Sequence, residues 1–361
     1  MKNGMIACIL ALCLVLTGCG SFLDGSYVFV QKHEVQSQSS NDQTVSAQSY
    51  RQLYDALEGM AEAGVESGVI FVREYQQSVV LADAEQAMKA ILHTNPIAAY
   101  AVESMSFDLG TSGGEPALAV TITYLHDKTE IRQIKKAENL EAATAMIASA
   151  LNSCDVGIVM HVSHFTATDF VQIVENHTME YPEYIIEQPQ VTVNIYPDSG
   201  AARVVELKFT YQNSRDTLKE MQQSVRSMFT SAKLYVSGAS DKQEKYAQLY
   251  SFLMERYDYT IETSITPSYS LLLHGVGDAR SFAVVYAAMC RRSGLDCHVV
   301  SGTRGGEPWC WNIIEQEGVY YHVDLLRSSD EGEFRIMMDT EMSGYVWDYS
   351  AYPTVQQMQE G

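Results

Sequence analysis

Three residues near the C-terminal end of the chain have types that could do covalent chemistry together: Cys310, His322 and Asp324. A thiolate attacks an acyl carbon, an imidazole takes and returns the proton, and a carboxylate orients the imidazole. Their spacing works against them. The stretch from Glu307 to Leu326 reads as two strands around a tight Glu315-Gln316-Glu317-Gly318 turn, and successive side chains of a strand face opposite ways. His322 and Asp324 share a face, but a Cys310–His322 pair would need a bulge or a register slip. His274 lies where no thiol or hydroxyl is placed for it, and Ser281 lacks a visible base. His161 and His164 stand three apart in a strand, which turns their imidazoles to opposite faces, and His33 and His93 are isolated. The thiols Cys154, Cys290, Cys297 and Cys310 form no Cys-x-x-Cys pair, so no zinc signature exists. Cys290 and Cys297 could form a disulfide, but buried free thiols are the expectation. No metal or cofactor is implied.

The elements that must hold these residues are legible. "KYAQLYSFLMERYDY" is an amphipathic helix with Tyr246, Leu249, Tyr250, Leu253 and Met254 along one face. "SITPSYSLLLHGVG" reads as a loop. A second helix opens near Asp278, turns Phe282, Val285, Tyr286 and Met289 inward, and stops at Arg291-Arg292-Ser293-Gly294. "DCHVVSGT" is a strand, and the two strands of the opening paragraph follow it.

In this order the segments carry a resemblance. "GLDCHVVSG" (Gly294 to Gly302), "WCWNII" (Trp309 to Ile314), "YYHVD" (Tyr320 to Asp324) and the tail "DTEMSGYVWDYSAYP" (Asp339 to Pro353) are similar to the motifs of transglutaminase-like domains, which have a papain-like fold. The resemblance covers roughly the last third of the chain. It implies a catalytic Cys at the start of a helix, where the helix dipole favours thiolate, with a His and an Asp on neighbouring strands. Carried over by position, the Cys falls on Ala279, the His on Trp309 and the Asp on Asp324, while Gly-Tyr-Ala becomes Ser281-Phe282-Ala283. The scaffold is kept and the nucleophile and base are gone. Loss of such groups costs on the order of a million-fold in turnover in a well-studied serine protease. Two readings of Trp309 stay open. It plugs the vacated site as core, or with Trp311, Asp324 and Arg280 it lines a groove that holds a peptide or glycan by stacking without cutting it. In the groove reading Asp324 would accept a hydrogen bond from the Trp309 indole or from Arg280. The opposing hypothesis is an active cysteine hydrolase or transferase built on Cys310 and His322.

The middle of the chain repeats itself. "SGVIFVREY" (Ser67 to Tyr75) matches "VGIVMHVSHF" (Val156 to Phe165), and "AVTITYLHDKTEI" (Ala119 to Ile131) matches "ELKFTYQNSRDTL" (Glu206 to Leu218). Each copy reads as helix, strand, helix and hairpin, with "LGTSGGEP" and "PDSG" as the turns. The expected fold class is α+β: two repeated small α+β modules, then a transglutaminase-like α+β domain. At the N-terminus, Lys2 precedes an apolar run from Met5 to Leu16 and then Thr17-Gly18-Cys19, which resembles a bacterial lipobox. The expected organisation is a signal peptide over 1–18, a lipidated Ser/Gln-rich tether over 19–47, modules over 48–136 and 137–236, and the last domain over 237–361. The expected location is the outer face of a cell membrane, through acylated Cys19, with a peptide, peptidoglycan or another envelope protein as partner. A formal net charge of −21 argues against a nucleic-acid or anionic-membrane surface.

Overall fold

The computed structural model describes residues 45–261 and 266–355. Its first module contains β1 (Val45–Ser46), α1 (Tyr50–Ala63), β2 (Ser67–Phe71), α2 (Val80–Thr94), α3 (Pro96–Ala101), β3 (Val102–Ser112) and β4 (Glu115–Tyr124). The Ser49 hydroxyl caps α1 by accepting from the Gln52 amide, and Gly64 ends the helix in the left-handed region at φ 64°. Leu53, Leu57 and Ala61 of α1 and Val80, Ala84, Ala87 and Ile91 of α2 bury themselves on the sheet. Strand order is β1-β2-β4-β3, with β1 parallel to β2 and the other pairs antiparallel.

The second module has the same plan. α4 (Lys128–Gln133) leads into β5 (Lys135–Ala137), α5 (Leu140–Asn152), β6 (Gly157–Val162), α6 (Phe170–Glu180), β7 (Gln190–Tyr196) and β8 (Arg203–Thr210), in the order β5-β6-β8-β7. Again the first strand is short and parallel. β1 and β5 were invisible to alternation, since two or three residues carry no period. Each module has its own core, and Tyr100, Ala101, Ile131 and Val204 close the junction, with Tyr100 stacked on His126 at 4.0 Å.

A long helix, α7 (Arg215–Tyr235), leaves β8 and enters the third part. Leu218, Val225, Phe229 and Ala232 of α7 share a core with Tyr246 and Leu249 of α8 (Lys242–Met254) and with Phe282 and Tyr286 of α9 (Ala279–Arg292). Between α8 and α9, β9 (Asp258–Tyr259) pairs with β10 (Val276–Gly277). The expected loop before β10 is instead helical. Pro267–Tyr269 forms a first turn, and Ser270–His274 continues it as a wider π-type turn that buries Leu271 and Leu272. Pro at the first helical position starts a helix readily, and burial of the two leucines supplies the reason to continue.

The third sheet is antiparallel, in the order β13 (Val319–Val323), β12 (Glu307–Gln316), β11 (Cys297–Arg304), β14 (Tyr345–Trp347). α10 (Leu325–Glu331) follows β13. One face of the sheet carries Ile314 and Val323 against the helices, and the other carries Val300, Trp311 and Ile313 against Met337, Tyr345 and Trp347. β14 can approach β11 closely because residue 302 is Gly. A Cβ there would lie 2.3 Å from the Val346 carbonyl oxygen and 2.9 Å from the Trp311 ring.

Candidate functional site

α9 begins where the sequence places it. Asp278 caps the helix: its Oδ1 accepts from the Ser281 amide at 2.7 Å and from the Ser281 hydroxyl at 2.6 Å. Ala279 is the first helical residue, and its methyl belongs to the helix-side core. Ser281 is buried and committed to Asp278, so its hydroxyl is not poised for attack.

Trp309, on β12 opposite Gly302 of β11, packs against that same core and against the aromatic core on the other face of the sheet. Its indole Nε1 donates to Asp324 Oδ2 at 2.9 Å. That oxygen also receives the Tyr345 hydroxyl at 2.6 Å and faces Arg304 Nη1 at 3.4 Å. The other oxygen, Oδ1, caps α10 by accepting from the Leu326 and Arg327 amides at 3.1 and 3.2 Å. Asp324 is only 1% exposed, and a buried carboxylate needs this many donors to offset its desolvation. The Arg304 guanidinium lies over both the Trp309 and Tyr345 rings, 5.2 and 5.6 Å from their centroids. Burial, then the hydrogen bond to Asp324 and its charge, pushes the Tyr345 phenol far above its ordinary value. On the outer side, Tyr259 tilts against Trp309 at 5.9 Å.

This arrangement has a direct chemical consequence. An indole N–H donates and has no lone pair with which to take up a proton. The 309–324 hydrogen bond is therefore present, but the group Asp324 orients cannot serve as a base.

The Cys310–His322 pair is not assembled. His322 pairs with Ile313 across β12 and β13, so it lies on the opposite face from Cys310 and farther along the strand. No bulge or slip intervenes. His322 is fully buried between two partners. Its Nδ1 accepts from Trp311 Nε1 at 3.0 Å, which leaves Nε2 to donate to Asp339 Oδ1 at 2.8 Å. Burial lowers its pKa, with the Asp339 hydrogen bond opposing. The Cys310 thiol lies 3.7 Å from the Ser301 hydroxyl, and burial raises its pKa. A thiol raised in this way is the reverse of an activated nucleophile.

Two further expectations need correction. Trp311 cannot line a groove, because it is 1% exposed and meets Tyr345 and Trp347 edge-to-face. Arg280 does not reach Asp324. Its Nη2 donates to Gln188 Oε1 of the second module at 3.1 Å, and Arg304 takes the place beside the carboxylate. Sequence reasoning missed Arg304 and Tyr345. They are register partners across β11 and β14, a pairing that a three-residue strand does not announce. The signal available was the need of a buried Asp for donors.

Among the described residues no group of three His, Cys, Asp or Glu side chains could hold a metal, and His164 Nδ1 engages the Glu138 carbonyl at 3.1 Å. Cys154, Cys290, Cys297 and Cys310 are free thiols. No described helix is long and apolar enough to cross a membrane. Cys19 lies outside the described residues.

Residues 230–352 match the Transglutaminase-like superfamily. The third part of the chain is a transglutaminase-like domain. Three solved structures resemble the chain: one described as a TGase (10% identity, TM-score 0.27, covering 62% of this chain and 66% of that one), a "Putative Cysteine Protease from Cytophaga hutchinsonii" (12%, 0.25, 45% and 68%) and a "putative protease from Parabacteroides distasonis" (9%, 0.23, 60% and 35%). The chain thus spans just under two thirds of the first of these. A search of curated proteins finds no match. The transglutaminase-like domain begins inside α7, so its core includes a helix that continues from the second module.

Proposed function

We propose that the protein is a non-catalytic binding or scaffold protein of the cell envelope, lipid-anchored through Cys19, whose transglutaminase-like domain has lost acyl-transfer chemistry. The observation that carries this reading is the hydrogen bond from the Trp309 indole to Asp324, next to a helix that opens on Ala279. The bond keeps the geometry of a base and its orienter while removing the base, and Cys310, its thiol pKa raised by burial and its strand face opposite to that of His322, does not replace the nucleophile. Candidate partners are a peptide, peptidoglycan or another envelope protein. The half-buried Trp309 and the exposed edge of Tyr259 are the parts of the old site still open to stacking.

The test is iodoacetamide labelling at neutral pH, combined with assays for amide hydrolysis and amine incorporation. Cys310 should alkylate more slowly than free cysteine, and turnover should stay at background. Saturable turnover that disappears in Cys310→Ala and in His322→Ala would overturn the reading. Anchoring is tested separately: Cys19→Ala should release the protein from the membrane fraction, and retention there would remove that part.

A further inference from the structure

α6 and α9 pack side by side, and α9 presents Arg280, Val284, Ala287 and Arg291 along this seam at helical spacing. Two cavities open along it, sharing Met179 as a wall. One, of about 190 Å³, lies at the Arg280 end; the other, of about 360 Å³, lies at the Arg291 end. The larger is within the size range of small-molecule sites.

Its chemistry is mixed in a particular way. Arg291 enters from α9, Glu180 from the end of α6, and Asp296 from the turn into β11, where it holds His298 Nε2 at 3.2 Å. Ala287, Leu295 and Met179 supply an apolar floor. Arg291 is not used up by its neighbours. Its guanidinium lies over Tyr181 at 4.7 Å, and the closest carboxylate oxygen, on the buried Glu183, is 3.9 Å from Nη2, beyond hydrogen-bond reach. Nη2 is buried on that side without a hydrogen bond, while the rest of the side chain, 31% exposed, is what lines the cavity. A cavity lined by one guanidinium and two carboxylates around an apolar floor is complementary to a small molecule carrying both charges.

We propose that this cavity binds a small zwitterion of the α-amino acid type. Its carboxylate pairs with Arg291, its ammonium with Glu180 and Asp296, and its side chain lies on Ala287 and Leu295. Because one cation faces two carboxylates, a ligand with an extra positive charge is favoured over one with an extra negative charge. Ala279, Trp309 and Asp324 do not line the cavity, so the site stands apart from the question of acyl transfer. Both the second module and the transglutaminase-like domain contribute to it, so the ligand would bridge the two.

Titration calorimetry on the folded protein, with L-lysine, L-leucine, L-glutamate, N-acetyl-L-leucine and L-leucinamide, tests this. The expected order is lysine, then leucine, then glutamate. Each capped leucine should bind at least about tenfold more weakly, because it loses one charge-assisted contact. Glu180→Gln and Arg291→Gln should each weaken leucine at least about tenfold. Since Arg291→Gln also alters the surroundings of the buried Glu183, Glu180→Gln, at an exposed position, is the variant that decides if the other fails to fold. No saturable binding of lysine or leucine below about 10 mM, equal binding of capped and free leucine, or affinity unchanged in Glu180→Gln would each overturn the proposal.

Discussion

Replacing Asp324 with Asn removes one charge and almost no volume, and the structure sets what this costs. In the wild type, Oδ1 caps α10 while Oδ2 collects the Trp309 indole, the Tyr345 hydroxyl and Arg304. An amide has one acceptor oxygen, so it serves one side only. Asn is a good helix cap, and with its oxygen kept there the NH2 turns toward the other donors. The Tyr345 hydroxyl can rotate and accept. The indole cannot, and is left unpaired, while a charge-assisted bond becomes a neutral one. An unsatisfied buried donor costs about 1–3 kcal/mol and the weakened bond about 1 more, so the change should destabilise by roughly 2–4 kcal/mol. Urea unfolding at pH 7, followed by circular dichroism, measures it. A double-mutant cycle with Trp309→Phe, which deletes the stranded N–H, should recover at least about 1 kcal/mol as coupling. A loss under about 0.5 kcal/mol, or strict additivity with Trp309→Phe, would refute the view that Asp324 holds Trp309 as a replacement for an imidazole.

Other outcomes follow from the same geometry. Gly302→Ala places a methyl against the Val346 carbonyl, so β14 must shift; the variant should lose at least about 2 kcal/mol and show lower protection of the β14 amides in hydrogen exchange. The lowered pKa of His322 means that the unfolded chain binds the proton first. Stability should therefore be intact above about 6.5, the ordinary value, and fall as pH drops below it. His322→Gln should flatten this slope between about pH 7.5 and 5.5, and an unchanged slope would assign it to other groups. Asp278→Ala removes the α9 cap and should cost about 1 kcal/mol in urea unfolding.

What the sequence made legible was the part written in periodic or capped segments. α9 was readable at both ends, because Asp278 caps it and Gly294 at φ 76° follows it. The twin modules showed in their matched strands. β1, β5 and β14 were not readable, being too short to carry a period, and with β14 went Arg304 and Tyr345 as partners of Asp324. The Pro267 helical segment was hidden by turn-forming residues that happen to sit over a buried Leu271 and Leu272. At the site itself, strand alternation gave the opposed faces of Cys310 and His322. It could not say that Trp311 would be sealed beneath Trp347, because that depends on which strand lies at the sheet edge.

α7 begins as the last helix of the repeat and finishes as a wall of the transglutaminase-like core, with Leu218 and Phe229 in one continuous packing. A cut at Ser237 would strip that wall from the core that also holds Tyr246 and Tyr286. The final domain is therefore not autonomous in the usual sense. Its folding is tied to its neighbour's, and a fragment meant to stand alone would have to begin upstream of Arg215.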